Sequence, residues 1–443
     1  MRLFLKLIFL VAFVPSAYAV ELSPHYPLTA AQARDASTLD ETILSDKVLA
    51  SQADPTRKIR WVRARFFSHD WKDGPWRGTV QVALPVAIAE NRRGFAAMCP
   101  GGTSKKGREP GFDAKRDFVE RTVLELGIPV AIIPSQGTHL GKTEIHEMSD
   151  AMTKRFVETG DPGWLAAWPG AALRARALTV IGKLAGHPIR SAVHMGTSIS
   201  AGQGWVWAAC DERVKGVIGT GSIGPFRKVY PERPLRKRLD FLSKAPDPVK
   251  ELFVKHRDPS VFAARITVPA LVVVGSNDFA TPPSVLPEFV AAFRQTPHLV
   301  SVPNFGHGCG TRRHHNSFRM WIDHTLFGRP LISVTMEKIA VTDGRLACTA
   351  TVSGEPTVKA VSLIYAASSN LDFLQSRYSR AGQKDNYSKA KWTVAPMQQR
   401  GGKWTVDIPL PSGTPPHIAA CVDVEEEWLG RPGYASTVVR LAK

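Results

Sequence analysis

Three side chains that could cooperate in acyl transfer follow short apolar runs, in the chain order serine, aspartate, histidine. Ser198 comes after residues 192–195, Asp278 after 270–275 and His307 after 299–303. A serine hydroxyl is a weak nucleophile until a base takes its proton, and an imidazole steered by a carboxylate does this at neutral pH. In that division of labour Ser198 attacks, His307 shuttles the proton and Asp278 holds the imidazole in one tautomer. Singly, each residue also has an ordinary reading: a turn serine, a helix cap before Pro282-Pro283, and a polar loop residue. The joint order at the ends of successive strands favours the chemical one.

The elements around these residues agree. Residues 192–195 are too short for a helix, and they meet the small residues Gly196-Thr197-Ser198-Ile199-Ser200-Ala201-Gly202 before apolar residues resume at helical spacing. That is a strand, a sharp turn and a helix with Ser198 at the turn, as in a nucleophile elbow. The usual pattern is G-x-S-x-G, and Ser200 occupies its last glycine position. Gly101 and Gly102 follow another apolar run, 94–99, so their N–H groups and that of Ile199 are the oxyanion-hole candidates. Paired-strand alternation over 59–84 precedes the strands 128–134, 214–219, 270–275 and 299–303. Residues 28–52 read as helical or irregular, and a basic segment at 225–264 takes the place of a cap over the site. Strands alternating with helices predict a doubly wound, mostly parallel sheet, and with the Ser-Asp-His order an α/β-hydrolase domain over 20–330.

Beyond Gly328-Arg329-Pro330 the pattern changes to short alternating segments: 333–341, 345–352, 360–366, 392–397, 403–408, 417–424 and 436–441. These predict an immunoglobulin-like β-sandwich over 331–443. Cys348 on its second strand and Cys421 on its sixth are the expected disulfide among the five cysteines. Cys99, Cys210 and Cys309 lack zinc-ligand spacing and read as buried small hydrophobes.

The start of the 443-residue chain reads as a signal peptide over 1–19: Arg2 and Lys6, an apolar core at 7–14, and Ala17-Tyr18-Ala19 before the cleavage point. The expectation is a periplasmic or secreted protein without a transmembrane segment. The formal net charge of +18 suits an acidic polymer or an anionic surface as partner. The basic residues are scattered, however, and not interleaved with aromatics as a nucleic-acid platform would require, so a solvated surface is preferred.

Several stretches resemble the PhoPQ-activated pathogenicity-related protein family, over most of the mature chain. They include Phe67-Ser68-His69-Asp70-Trp71 with Trp76, and Pro100-Gly101-Gly102. Glu158-Thr159-Gly160-Asp161-Pro162-Gly163-Trp164, followed by Pro169 and Arg174-Ala175-Arg176-Ala177, is similar to a more distinctive helical signature. The family elbow reads roughly G-A-S-K-R-G, and Gly196, Ser198, Trp205 and Asp211 fall in its register. Ile199-Ser200-Ala201-Gly202 replaces its K-R-G part, so the basic pair is missing and the glycine stands one place late. The resemblance implies an α/β-hydrolase fold with a small β-sandwich behind it.

The residues and the resemblance together predict a secreted serine hydrolase working through an acyl-enzyme on a small-molecule or peptide substrate. A carboxylesterase is the first expectation. A serine peptidase with the same triad is the second, and a non-catalytic binding protein on the same fold the third. The chemistry calls for no metal or organic cofactor.

Overall fold

The computed structural model describes residues 24–72, 74–101, 115–134, 145–222, 224–229, 242, 244–278, 285–307, 311–369, 373 and 390–442. The signal segment 1–19, Gly102 and Cys309 lie outside the described residues.

A 9-stranded sheet organises the first domain, in the order β1-β2-β3-β5-β4-β6-β7-β8-β9. β1 (Thr42–Ala50), β2 (Lys58–Trp71) and β3 (Gly74–Pro85) form an antiparallel meander, and β3 pairs antiparallel with β5 (Val130–Ile133). From β5 onward, β4 (Phe95–Pro100), β6 (Ser191–Thr197), β7 (Val214–Thr220), β8 (Ala270–Gly275) and β9 (His298–Val302) run parallel. Alternation along these strands divides the core between the two faces. Val217, Val272, Val274 and Leu299 face the helix Ala167–Ala185 and the helix Ile199–Ala208, hereafter the elbow helix. Ile218, Leu271, Val273 and Val300 face the helices Arg116–Leu126 and Arg312–Phe327. Burial on both faces explains why these strands read as continuous apolar runs. An antiparallel meander feeding a parallel sheet with β4 and β5 exchanged is the α/β-hydrolase architecture.

One segment departs from expectation. Residues 28–52, predicted helical or irregular, contain β1 as well as a short helix, Ala30–Arg34. β1 is exposed along nearly its whole length, so no buried face imposes the alternation that would mark a strand. The segment 225–264 lies between β7 and β8 and carries the helices Phe226–Val229, Asp247–Arg257 and Pro259–Ala263, with 230–241 and 243 outside the described residues.

The last helix of the first domain ends at Phe327, and β10 (Ser333–Thr342) opens the second. There β10, β11 (Arg345–Ser353), β15 (Lys403–Pro409) and β14 (Gln398–Arg400) form one antiparallel sheet, in the order β10-β11-β15-β14. β13 (Thr393–Pro396), β12 (Val358–Ser368), β16 (His417–Trp428) and β17 (Arg431–Ser436) form the other, and β18 (Arg440–Leu441) adds to β16. β14 and β17 are strands that the sequence pattern did not single out. The orders correspond to the ABED and C′CFG sheets of an immunoglobulin-type sandwich.

The expected Cys348–Cys421 disulfide is not formed; both are free, buried thiols. Both cysteines sit on the anticipated strands, but they face different ways. Cys348 points between the two sheets with Leu346, Ala350, Ala420 and Val422. Cys421 is one residue out of phase with that inward set and faces the hydrolase domain with Ile364, Ala366 and Ala419. Side-chain period two makes a one-residue offset a change of face.

The sandwich docks against β9 and the helix Arg312–Phe327. Trp428 Nε1 donates to Asp323 Oδ2 at 3.0 Å, and Arg313 pairs with Asp423.

Candidate active site

Ser198 stands between β6 and the elbow helix with φ 55° and ψ −119°, a backbone conformation that L-residues seldom adopt. Two observations explain how the chain holds it there. The Ser198 N–H donates to the Thr220 carbonyl at the end of β7 (2.8 Å), and its own carbonyl accepts from the Gly202 N–H (3.1 Å). On the strand side, a Cβ on Gly196 would lie 2.5 Å from both Cα and N of Ala201, so only glycine lets the elbow helix close onto β6. The elbow helix begins at Ile199, whose N–H has no intrahelical acceptor and lies at the positive end of the helix dipole.

Asp278 follows β8 and is fully buried, with its N–H donating to the Gly275 carbonyl at 3.0 Å. Its two carboxylate oxygens lie 3.0 and 3.1 Å from His307 Nδ1, on the loop after β9. An ionised carboxylate can only accept, so Nδ1 carries the proton and Nε2 is the basic nitrogen. The His307 side chain remains 22% exposed, which leaves the ring open to a substrate at one edge. Gly221, the residue after Thr220, touches both partners. A Cβ there would stand 2.8 Å from His307 Cε1 and 3.0 Å from Asp278 Oδ2. The end of β7 thus ties the serine turn, through Thr220, to the acid–base pair, through Gly221. Ser198, Asp278 and His307 occupy one edge of the sheet, at the C-terminal ends of β6, β8 and the strand beyond, where open α/β sheets bind ligands.

The oxyanion-hole candidates separate. Ile199 is the first residue of the elbow helix and remains a candidate. Gly101 does not, because its N–H donates to the Ile133 carbonyl at 2.6 Å and continues the β4–β5 ladder. A donor engaged in the sheet cannot also face a reacting oxygen. Gly102 lies outside the described residues.

Behind the elbow lies a polar group that the sequence reading left unassigned. Arg174, on the long helix Ala167–Ala185, is fully buried and donates to Ser200 Oγ (2.8 Å) and to the Gly170 carbonyl (2.7 Å). Burial pushes its pKa down to about 9, which still leaves a cation at neutral pH. Ser200, at the last glycine position of the usual motif, is therefore the acceptor for a buried guanidinium. On the other side, Arg257 Nη1 lies 2.7 Å from where a Cβ on Gly202 would be. Two arginines from elsewhere in the chain flank the turn whose own basic pair is missing. The sequence signal was a pair of arginines, Arg174 and Arg176, among alanines and leucines in residues 171–178. His194, on the strand before the turn, is buried, and desolvation with Arg174 nearby holds its pKa well below the usual range. It is a neutral, buried residue behind the turn.

Residues 239–374 match the family model of the PhoPQ-activated pathogenicity-related protein, in agreement with the resemblance seen in the sequence. The matched stretch contains Asp278 and His307 and runs into the sandwich. No curated protein matches the chain. Among solved structures, acetyl xylan esterase 1 from Thermoanaerobacterium sp. JW/SL YS485 is similar at 15% identity and TM-score 0.48, covering 67% of this chain and 91% of that one. The acetyl xylan esterase from Paenibacillus sp. R4 is similar at 14% and 0.48, covering 65% and 89%. The glucuronoyl esterase from Solibacter usitatus is similar at 14% and 0.46, covering 68% and 90%.

Proposed function

We propose that this protein is a serine hydrolase in which Ser198, His307 and Asp278 form the catalytic triad, with carboxylic esters as substrates. The observation that carries the reading is the His307–Asp278 pair at 3.0 Å together with a serine on a strained turn, the turn bonded to Thr220 at the end of β7 and the pair packed close to Gly221, the next residue. In the proposed reaction Ser198 Oγ attacks the acyl carbonyl as His307 Nε2 takes its proton. The negative charge that develops on the carbonyl oxygen meets the Ile199 N–H and the helix N-terminus. Collapse of the tetrahedral species expels the alcohol, which receives the proton from His307, and leaves an acyl-Ser198. Water, activated by His307 in turn, releases the carboxylic acid. Asp278 stays ionised throughout and stabilises the imidazolium. Deep burial and two-point acceptance of the Nδ1 proton suit it to that role.

The mature protein is proposed to act outside the cytoplasm, on the strength of the leader-like residues 1–19. No helix among the described residues is long and apolar enough to cross a membrane.

Labelling with a fluorophosphonate probe tests the catalytic reading. Wild type should be labelled and Ser198→Ala should not, with the two showing the same circular dichroism. An unlabelled wild type, or equal labelling of the variant, would overturn the reading. Short-chain nitrophenyl esters compared with aminoacyl-naphthylamides then decide between ester and peptide substrates, and faster amide turnover would reject the ester assignment.

A further inference from the structure

We infer that the β-sandwich aligns the catalytic acid and base, through a hydrogen-bonded clamp between the residues preceding β13 and the loops that carry Asp278 and His307. The inference rests on the triad assigned above.

The clamp is built from three side chains of the hydrolase domain and the backbone of the sandwich. Asn304 lies three residues before His307. Its Nδ2 donates to the Trp392 carbonyl at 2.7 Å, and its Oδ1 accepts from the Trp392 N–H at 2.8 Å. Both bonds are satisfied by one orientation of the amide, so the side chain acts as a short strand segment paired with residue 392. Asn277 immediately precedes Asp278, and its Nδ2 donates to the Ala390 carbonyl at 2.9 Å. Ser276 closes the circuit on the hydrolase side. Its Oγ accepts from the Asn304 N–H at 2.7 Å and donates to Asn277 Oδ1 at 2.7 Å. Starting from the acid loop, the bonds run through Ala390 and Trp392 of the sandwich to the base loop, and return through Ser276.

The geometry makes this more than interdomain adhesion. Asn304 has φ 57°, the left-handed region that asparagine tolerates better than most residues, so its backbone is bent to present both amide ends to residue 392. Trp392 is itself immobilised: it is 2% exposed and lies against Phe373 with ring centroids 6.0 Å apart. The anchor is therefore a buried point where the sandwich packs on the hydrolase domain. Catalytic groups on loops must be held to about 0.5 Å, and misplacement by about 1 Å costs roughly 100-fold in rate. Within the hydrolase domain, the two loops are joined by the Asn277 N–H to the Phe305 carbonyl (2.9 Å) and the Ser276 N–H to the Val302 carbonyl (2.9 Å). Those bonds set their spacing, and the clamp adds a second line of support from outside the sheet. Asn304 and Asn277 are thus positioning residues, acting through the His307–Asp278 geometry.

The test uses the full-length mature protein and compares Asn304→Gly with Ser436→Ala. Asn304→Gly keeps the positive φ and removes both bonds to Trp392. Ser436→Ala removes a different interdomain contact, the acceptor for the Ser301 N–H at 2.9 Å. Turnover of p-nitrophenyl acetate, the rate of fluorophosphonate labelling and the thermal midpoint are measured on each. Asn304→Gly is expected to lower kcat and the labelling rate by roughly 10- to 100-fold, the scale set by misplacement of reacting groups, with KM within about twofold. Ser436→Ala is expected to lower the thermal midpoint and leave kcat unchanged. If Asn304→Gly does not accumulate as folded protein, Asn304→Asp is read instead. It keeps the acceptor for the Trp392 N–H and loses the donor to its carbonyl, and it too should lower kcat with KM held. Turnover within threefold of wild type in the variant that is read, or equal loss in Ser436→Ala, overturns the clamp. A wild type that the probe does not label overturns the triad instead, so the two failures are distinguishable.

Discussion

Replacing Ser200 tests whether the departure from the usual elbow motif is a structural device. Ser200→Ala removes the acceptor that Arg174 Nη2 uses at 2.8 Å in a fully buried position. Arg174 then keeps its bond to the Gly170 carbonyl, and its Nε already has no partner among the described residues. A hydrogen bond to a charged group contributes about 1.5–3 kcal/mol, and the loss falls at the upper end when the charge stays buried. We therefore expect Ser200→Ala to cost about 2–3 kcal/mol, a fall of roughly 1 M in the urea midpoint at a slope of about 3 kcal/mol per molar. The buried Trp205 and Trp207 on the same helix make tryptophan fluorescence a suitable probe. Ser200→Gly restores G-x-S-x-G, yet it loses the same bond and adds roughly 1 kcal/mol of helix cost, so it should be the less stable of the two. The double variant Arg174→Met with Ser200→Ala removes charge and acceptor together. It should recover to within about 1 kcal/mol of wild type, because an apolar pair replaces an unpaired buried charge. A loss below 0.5 kcal/mol in Ser200→Ala, taken as under the lower bound for such bonds (about 1.5 kcal/mol), or strictly additive single costs, would refute the reasoning.

Other outcomes follow from the same geometry. Gly196→Ala should destabilise by about 1–3 kcal/mol or more and abolish probe labelling, because its Cβ would meet backbone atoms of Ala201 at 2.5 Å. Gly202→Ala meets only the movable tip of Arg257, so it should be milder in urea unfolding, and equal losses would count against the distinction. Asp278→Asn should reduce kcat by about 10⁴ with the fold intact, since the Nδ1 proton loses its carboxylate acceptor; a loss below tenfold in steady-state kinetics would remove Asp278 from its role. Burial pushes the pKa of His314 down to about 3 and that of His298 down to about 4. Both are neutral when folded and take up a proton on unfolding below about pH 6.5, so their contribution to stability is present above that pH and lost toward pH 4. Each adds about 1.4 kcal/mol per pH unit to the acid slope, and His314→Gln should flatten the dependence of the thermal midpoint on pH between 6 and 4.5. An unchanged slope in that variant would contradict the shift.

What the sequence determined by itself was what local pattern encodes. Continuous apolar runs identified β4 to β9 because burial on both faces leaves a mark in each strand alone. The run of small residues at 196–202 marked the turn, and the change to short alternating segments after 328–330 marked the second domain. Pairing and facing were decided only by the tertiary structure. β1 escaped notice because an exposed edge strand has no face to pattern. Cys348 and Cys421 were on the right strands, but register set one residue inward and the other outward. Gly101 looked like a free donor until the β4–β5 ladder claimed its N–H. The partnership of Ser200 with Arg174 spans 26 residues, and that of Asn304 with Trp392 spans 88. Such contacts are unreadable in a linear chain because neither partner's neighbours constrain where the other comes to lie. The residue types for the proposed acyl transfer were therefore legible early. Which donors and struts surround them depends on how the sheet and the sandwich close around the elbow.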